Sequence, residues 1–258
     1  MKYSVSVQLI IAALMSALFL GACHRPAENR LQGYVEGEFV YVASPLGGAV
    51  ESLFVKRGDQ VKAGDPLFVL DSAAERAARD QAQAALVLSE KDLARMEKLV
   101  QSNLIAMQEL DRARSTRDQD RERLAKAEWD LSQKRQNAPQ TGLVFDTLFR
   151  PGEWVPAGRP VVAILPPGNV KVRAFVPETA IGTVRAGQNA RVRMDGVNEP
   201  LAGRISFISP RAEYTPPVIY SRETREKLVF MIEILFDPAV GARLHPGQPV
   251  DVELIPQA

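Results

Sequence analysis

The chain is expected to be mainly β, with a long α-helical hairpin set into it and a small β-barrel behind it. Three observations carry that expectation. A short β pattern occurs twice in strict register, a stretch free of glycine and proline separates the copies, and alternating segments punctuated by Gly and Pro follow them. In the repeat, Gly48, Val50, Gly58, Val61, Ala63, Gly64 and Pro66 recur 94 positions later as Gly142, Val144, Gly152, Val155, Ala157, Gly158 and Pro160. Phe54 and Leu148 correspond, as do Asp59 and Glu153. Each copy reads as short strands joined by a Gly-centred turn, Gly58-Asp59 or Gly152-Glu153, with a second turn at Ala63-Gly64 or Ala157-Gly158. A unit this short cannot bury its apolar face alone, so the copies are expected to pack on each other.

The insert runs from Ser72 to Asn137, 66 residues dominated by strong helix formers. Ala82, Leu86, Ser89, Leu93, Met96 and Val100 step by four and three. So do Leu110, Ala113, Arg117, Asp120, Leu124, Ala127 and Leu131. That is the coiled-coil period. Gln101-Ser102-Asn103 lies between the two series as a polar turn. Two antiparallel helices of about 30 residues, each roughly 45 Å long, follow from the helical rise. Arg117 and Asp120 sit inside the seam, so its middle is expected to be weak or paired. The insert could instead lie flat on the body. Charge around most of the circumference (Arg76, Arg79, Asp80, Lys91, Asp92, Arg95, Glu97) favours a hairpin projecting into solvent.

Beyond Leu165 the pattern is that of strands: Val170–Val176, Ala190–Met194, Ile205–Ile208, Leu228–Phe236 and Val250–Ile255, with a short helix starting near Pro177. Short strands between Gly and Pro turns point to a small barrel or sandwich.

At the start, Lys2 precedes an apolar run from Val5 to Leu20, and Leu20-Gly21-Ala22-Cys23 follows. The run is short for a membrane span and has the layout of a signal peptide. Small residues before Cys23, the single cysteine of the chain, resemble the lipobox of bacterial lipoproteins. The alternative is an ordinary signal peptide cut elsewhere. Lipidation at Cys23 is the preferred expectation, with the acyl chains holding the protein at a membrane surface. The expected organisation is therefore a lipoprotein signal peptide (1–22), a lipidated N-terminus and tether (23–38) that ends in a strand-like segment, a β module in two halves (39–71 and 138–166), a coiled-coil hairpin (72–137) and a barrel (167–258) with a loop at 211–227.

Several function classes are disfavoured. A net charge of +1 with no basic patch argues against nucleic acid as a partner. Two histidines, His24 and His245, are too few for most acid–base or zinc chemistry, so neither a catalytic residue nor a metal site nor a cofactor is expected. There is no Gly-x-Ser-x-Gly elbow and no phosphate loop.

The doubled β pattern resembles the two halves of a lipoyl/biotinyl domain. The turn that carries a modified lysine in carrier proteins is here replaced by the helical insert. Split lipoyl halves flanking a hairpin and followed by a barrel resemble the HlyD family of periplasmic adaptors, the membrane fusion proteins. That resemblance implies a non-enzymatic adaptor of a homo-oligomeric ring, joining an inner-membrane ABC-type exporter to a TolC-like outer-membrane duct. It further implies duct docking by the hairpin tip through Arg95, Leu99, Ile105, Ala106 and Asp111; a helix-on-helix contact there also needs exposed apolar anchors, for which Leu104, Ile105 and Met107 are the candidates. Ala106 stands where the family has serine, and Met96 where leucine is usual. Glu213, Tyr214, Thr215, Pro216 and Arg225 resemble a signature loop of adaptors that serve ABC-type exporters. Two other readings stay open: an adaptor for a resistance–nodulation–division pump, and a structural envelope lipoprotein using the coiled coil as a spacer. Substrate, protomer number and membrane sorting are left open.

Overall fold

Each copy of the repeat lends strands to the other's sheet. The computed structural model describes residues 30–102, 104, 106–197, 199–214 and 228–256. These divide into two compact units.

The first unit comprises Val35–Lys171 and Phe236–Gly247. Its β module is built from β2 (Val40–Ala43), β3 (Gly48–Leu53), β4 (Gln60–Val61), β5 (Pro66–Leu70), β6 (Arg135–Asn137), β7 (Gly142–Thr147), β8 (Trp154–Val155) and β9 (Pro160–Leu165). One four-stranded sheet has the order β2-β9-β7-β4 and the other β6-β5-β3-β8. Gly48 pairs with Val155 across the copies, and Val61 pairs with Gly142 in the mirrored place. The cross-links repeat as well. Gly58 N–H donates to Val144 C=O at 2.9 Å, and Gly152 N–H to Val50 C=O at 2.8 Å. The Asp59 carboxylate accepts from Lys56 N–H, and that of Glu153 from Arg150 N–H, both at 2.9 Å. Gly58 and Gly152 have φ of 93° and 90°, the left-handed region where a side chain is strained. The turn chemistry explains why these positions agree between copies.

Both sheets face one core. Val50, Leu67, Phe68, Leu70 and Val155 come from one sheet, and Val42, Val61, Val144, Val162 and Ile164 from the other. Neither copy could bury this surface alone. At Gly142 a Cβ would lie 2.7 Å from Ile164 Cγ2 and 2.8 Å from the Leu165 carbonyl, so the strands meet too closely for any side chain.

The insert forms α1 (Ala73–Gln101) and α2 (Met107–Ser132). The two helices pack on each other, and neither packs extensively on a strand among the described residues. Leu86, Ser89 and Leu93 are buried against Leu110, Asp120 and Leu124, in the heptad register read from the sequence. The insert does not stay helical to Asn137. Residues 135–137 are strand β6, paired with β5. The chain turns at Gln133-Lys134, where Lys134 C=O accepts from Leu70 N–H at 2.8 Å, and β5 then captures the next residues as a sheet edge.

The second unit holds residues 172–235 and 248–256, with 30–34 from the N-terminal strand. β1 (Arg30–Gly37), β10 (Val170–Pro177), β11 (Asn189–Arg193), β12 (Leu201–Tyr214), β13 (Leu228–Leu235) and β14 (Pro249–Leu254) close a barrel in the order β1-β10-β13-β12-β11-β14. The short helix α3 (Glu178–Ile181) follows β10. Val172, Ala174, Val192, Ile205, Ile232, Ile234 and Val252 fill the interior.

Three expectations are corrected here. Residues 30–37, read as a strand-like end to the tether, are not tether but a barrel strand pairing with β14. Its membership of the barrel was hidden, because its partner lies more than 200 residues away in the chain. A Cβ at Gly33 would sit 2.3 Å from the Arg173 carbonyl, so the glycine is a close-approach residue rather than a flexible one. Residues 236–247, assigned to the barrel, cluster with the first unit. There α4 (Pro238–Gly241) packs on the 3-10 turn Pro167–Asn169, and Gly241 lies against the Pro167 carbonyl. The loop expected at 211–227 begins later, because residues 211–214 continue β12. Ala212, Glu213 and Tyr214 face Phe230, Val229 and Leu228.

Candidate docking surfaces

At the hairpin tip α1 ends in hydrogen bonds rather than fraying. Ser102 N–H and its Oγ both donate to the Lys98 carbonyl, at 3.2 and 3.1 Å, and Leu104 N–H reaches the Leu99 carbonyl at 2.9 Å. The last of these has the span of the long bond in a Schellman helix end. Residue Ala106 is the N-cap of α2, with extended backbone and no side-chain cap. Between them Leu104 is 69% exposed, and Met107 just beyond is 59% exposed. Large apolar side chains left exposed beside a hydrogen-bonded helix end are what a helix-on-helix contact needs as anchors.

The other tip residues fall as follows. Leu99 is half-buried on α1, so it belongs partly to the hairpin's own closure. Arg95 is exposed nearly two turns down α1 and pairs with Asp92 at 3.3 Å. Asp111 is exposed one turn into α2 and pairs with Arg114 at 3.6 Å. With Asp118, Glu122, Arg123 and Lys126 it lines a shallow, open groove along α2. Ile105 lies outside the described residues. The structure therefore gathers Leu99, Leu104 and Ala106 at the turn, and sets Arg95 and Asp111 apart on the helix flanks.

In the candidate exporter-facing loop, Glu213 is exposed at the end of β12 and Tyr214 is the last residue of that strand. Thr215, Pro216 and Arg225 lie outside the described residues. So does Cys23. Among the described residues no helix is long and apolar enough to cross a membrane. Among them, too, no cluster of three or more His, Cys, Asp or Glu side chains is placed to hold a metal.

Two features of this unit escaped the sequence. At the hairpin root Lys134 is only 4% exposed. Its ammonium donates to the Gly47 carbonyl at 2.6 Å and pairs with Glu75 of α1 at 2.9 Å, while Ser44 Oγ donates to the Gln133 carbonyl at 2.8 Å. A charge bonded at once to the carbonyl just ahead of β3 and to the first turn of α1 fixes how the hairpin leaves the module. Nothing in the spacing of Lys134 marks it. The second feature is an exposed aromatic cluster around Phe145 on the outer side of the β2-β9-β7-β4 sheet. Its signal was present, because Phe145 falls on Glu51 when the two copies are superposed.

No protein-family model matches this chain. Across its whole length the chain is 27% identical to the UPF0194 membrane protein YbhG of Salmonella typhi, covering 99% of that relative. The alignment spans 329 positions against 258 in this chain, so the relative carries additional residues. Among solved structures, it resembles a MacA-MexA chimera carrying the Pseudomonas aeruginosa MexA α-hairpin domain. The TM-score is 0.71 at 22% identity, over 87% of this chain and 80% of the other. It also resembles the membrane fusion protein Spr0693 of Streptococcus pneumoniae R6, with TM-score 0.67 at 20% identity, over 89% and 99% of the two chains. The chain thus has homologues among the UPF0194 membrane proteins and the fold seen in membrane fusion proteins.

Proposed function

We propose that this chain is a non-enzymatic periplasmic adaptor. In this reading it links an inner-membrane ABC-type exporter to a TolC-like outer-membrane duct and works as one subunit of a homo-oligomeric ring. The observation that carries the reading is the helix pair. It is rooted in the β module by buried Lys134, and it presents exposed Leu104 and Met107 at its far end. A spacer would need no apolar anchors at its tip; a docking device does. Likeness to structures solved as membrane fusion proteins supports the same reading.

In the mechanism, acyl chains on Cys23 hold the protein at the membrane, most simply the inner one, and raise its effective concentration near the exporter. The barrel side, with Glu213, Tyr214, Thr215, Pro216 and Arg225, meets the exporter. Leu99, Leu104, Ile105 and Ala106 engage the duct, with Arg95 and Asp111 setting helix register from the flanks. One tip buries little area, so several tips in a ring supply the affinity. ATP hydrolysis belongs to the exporter.

The test is cross-linking in intact membranes followed by affinity capture of the full-length chain. An ABC-type permease in the captured material is the expected result; a proton-driven pump in its place redirects the reading to the other exporter class. Deleting residues 90–112 should abolish dye or drug efflux, and unchanged efflux would favour a spacer role.

A further inference from the structure

The β3 and β7 strands each carry a bulge, and the two bulges occupy equivalent places in the repeat. Register shifts fall between Val50 and Ser52 in β3 and between Val144 and Asp146 in β7, so Glu51 and Phe145 are the inserted residues. Bulges re-aim side chains, and both residues here are exposed. Around Phe145 an ordered patch forms. The Phe39 ring lies 4.3 Å from that of Phe145 and 6.4 Å from that of Tyr41. The Arg57 guanidinium stands 5.9 Å from the Phe145 ring, and its Nε donates to the Phe145 carbonyl at 3.0 Å. Tyr41 is nonetheless 58% exposed. At the twin site the bulge carries a carboxylate, and Pro151, with no donor, stands in the place of Arg57. The outward neighbours there are Ala49 and Trp154, directly paired, with Trp154 68% exposed.

We propose that the Phe39-Tyr41-Phe145-Arg57 face docks onto the Glu51-Trp154 face of a second copy of this chain. The two sheets share one core, so their outer faces point in opposite directions. A contact between them is heterologous, and it builds a ring if the rotation closes. Charge and chemistry fit that occupant. Glu51 has no ion-pair partner among the described residues, whereas Arg57 is exposed on the other face, with the Asp146 carboxylate 3.7 Å from its Nε and so beyond hydrogen-bond distance, and Trp154 offers both an aromatic surface and a platform for a cation. Aromatic residues and arginine are the residue types enriched at interface centres. The Arg57 bond and the Phe39 ring hold Phe145 in place beforehand, which lowers the ordering cost of association. This deepens the ring in the function proposed above and rests on it only for the number of copies.

The test uses full-length, membrane-extracted protein carrying Tyr41→Cys together with Trp154→Cys, both exposed positions, under mild oxidation, with amine cross-linking run in parallel. The expected result is a disulfide ladder ending at a finite multimer. Neither single variant should give it, and adding Glu51→Arg should weaken it by at least about tenfold through like-charge juxtaposition with Arg57. Absence of the ladder, or dimers from Tyr41→Cys alone, overturns the proposed face. Amine-linked multimers without the ladder would leave the ring standing on another surface. Their absence as well would remove the ring itself.

Discussion

The β module and the helix pair it supports bury their apolar surface in opposite ways. In the module, Phe68, Leu67, Leu70, Val144 and Ile164 are fully enclosed by strands drawn from both copies of the repeat. In the hairpin the seam is a single file, in which Ser89 and Asp120 are buried beside Leu86, Leu93 and Leu124. Asp120 is 6% exposed and depends on Arg123 at 2.7 Å. Arg117, also in the seam, lies 2.9 Å from Asp118 without forming a hydrogen bond through Nε. The module is therefore the folding unit, and the hairpin is an arm whose own packing contributes less. Such a division suits a device that must hold a tip far from its base while keeping that tip free to be covered.

The largest expected effect lies in the module. Phe68→Ala should cost about 3–5 kcal/mol, the usual range for emptying a buried aromatic site, and denaturant unfolding checks it. Loss of helix signal in the same transition would show that the arm depends on the module. Next comes the root. Lys134→Met removes the cation from Glu75 and Gly47, and should cost about 2–3 kcal/mol, below the fully buried limit because Glu75 keeps part of its hydration. Lys134→Met with Glu75→Leu should recover most of that loss, as measured by thermal unfolding. A smaller change should strengthen the arm. Ala106→Ser would complete a capping box with Glu109 and stabilise the start of α2 by about 1 kcal/mol, readable as slower amide exchange in its first turn. Smallest in stability is Leu104→Asp, expected within about 0.5 kcal/mol of the wild type because the side chain is already in water.

The sequence made the repeat, the seam and most strand positions legible, because each rests on a local rule. Gly58 and Gly152 announce left-handed turns, and heptad spacing from Ala82 to Leu131 places the buried stripe on each helix. What stayed hidden depends on partners distant in the chain. Residues 30–37 read as the strand-like end of a tether, with no sign of a barrel partner until β14 supplied their pairing, and 135–137 read as helix until β5 did. Lys134 looked like one more surface cation, since nothing nearby in sequence reveals that Gly47 and Glu75 converge on it. Of the tip, the exposed turn followed from Gln101-Ser102-Asn103, but the separation of Arg95 and Asp111 from Leu104 needed coordinates. The Phe145 patch was readable in principle as the place where two otherwise matching copies disagree.

The central claim is that the hairpin tip is a docking surface for an outer-membrane duct. A photo-cross-linking residue at position 104 of the full-length protein, activated in living cells, tests it most directly. The expected product is an adduct with a TolC-like outer-membrane protein, lost when the cross-linker is moved to the exposed flank at position 91. Equal labelling at both positions, or no outer-membrane adduct at 104 in cells that carry out efflux, would contradict it.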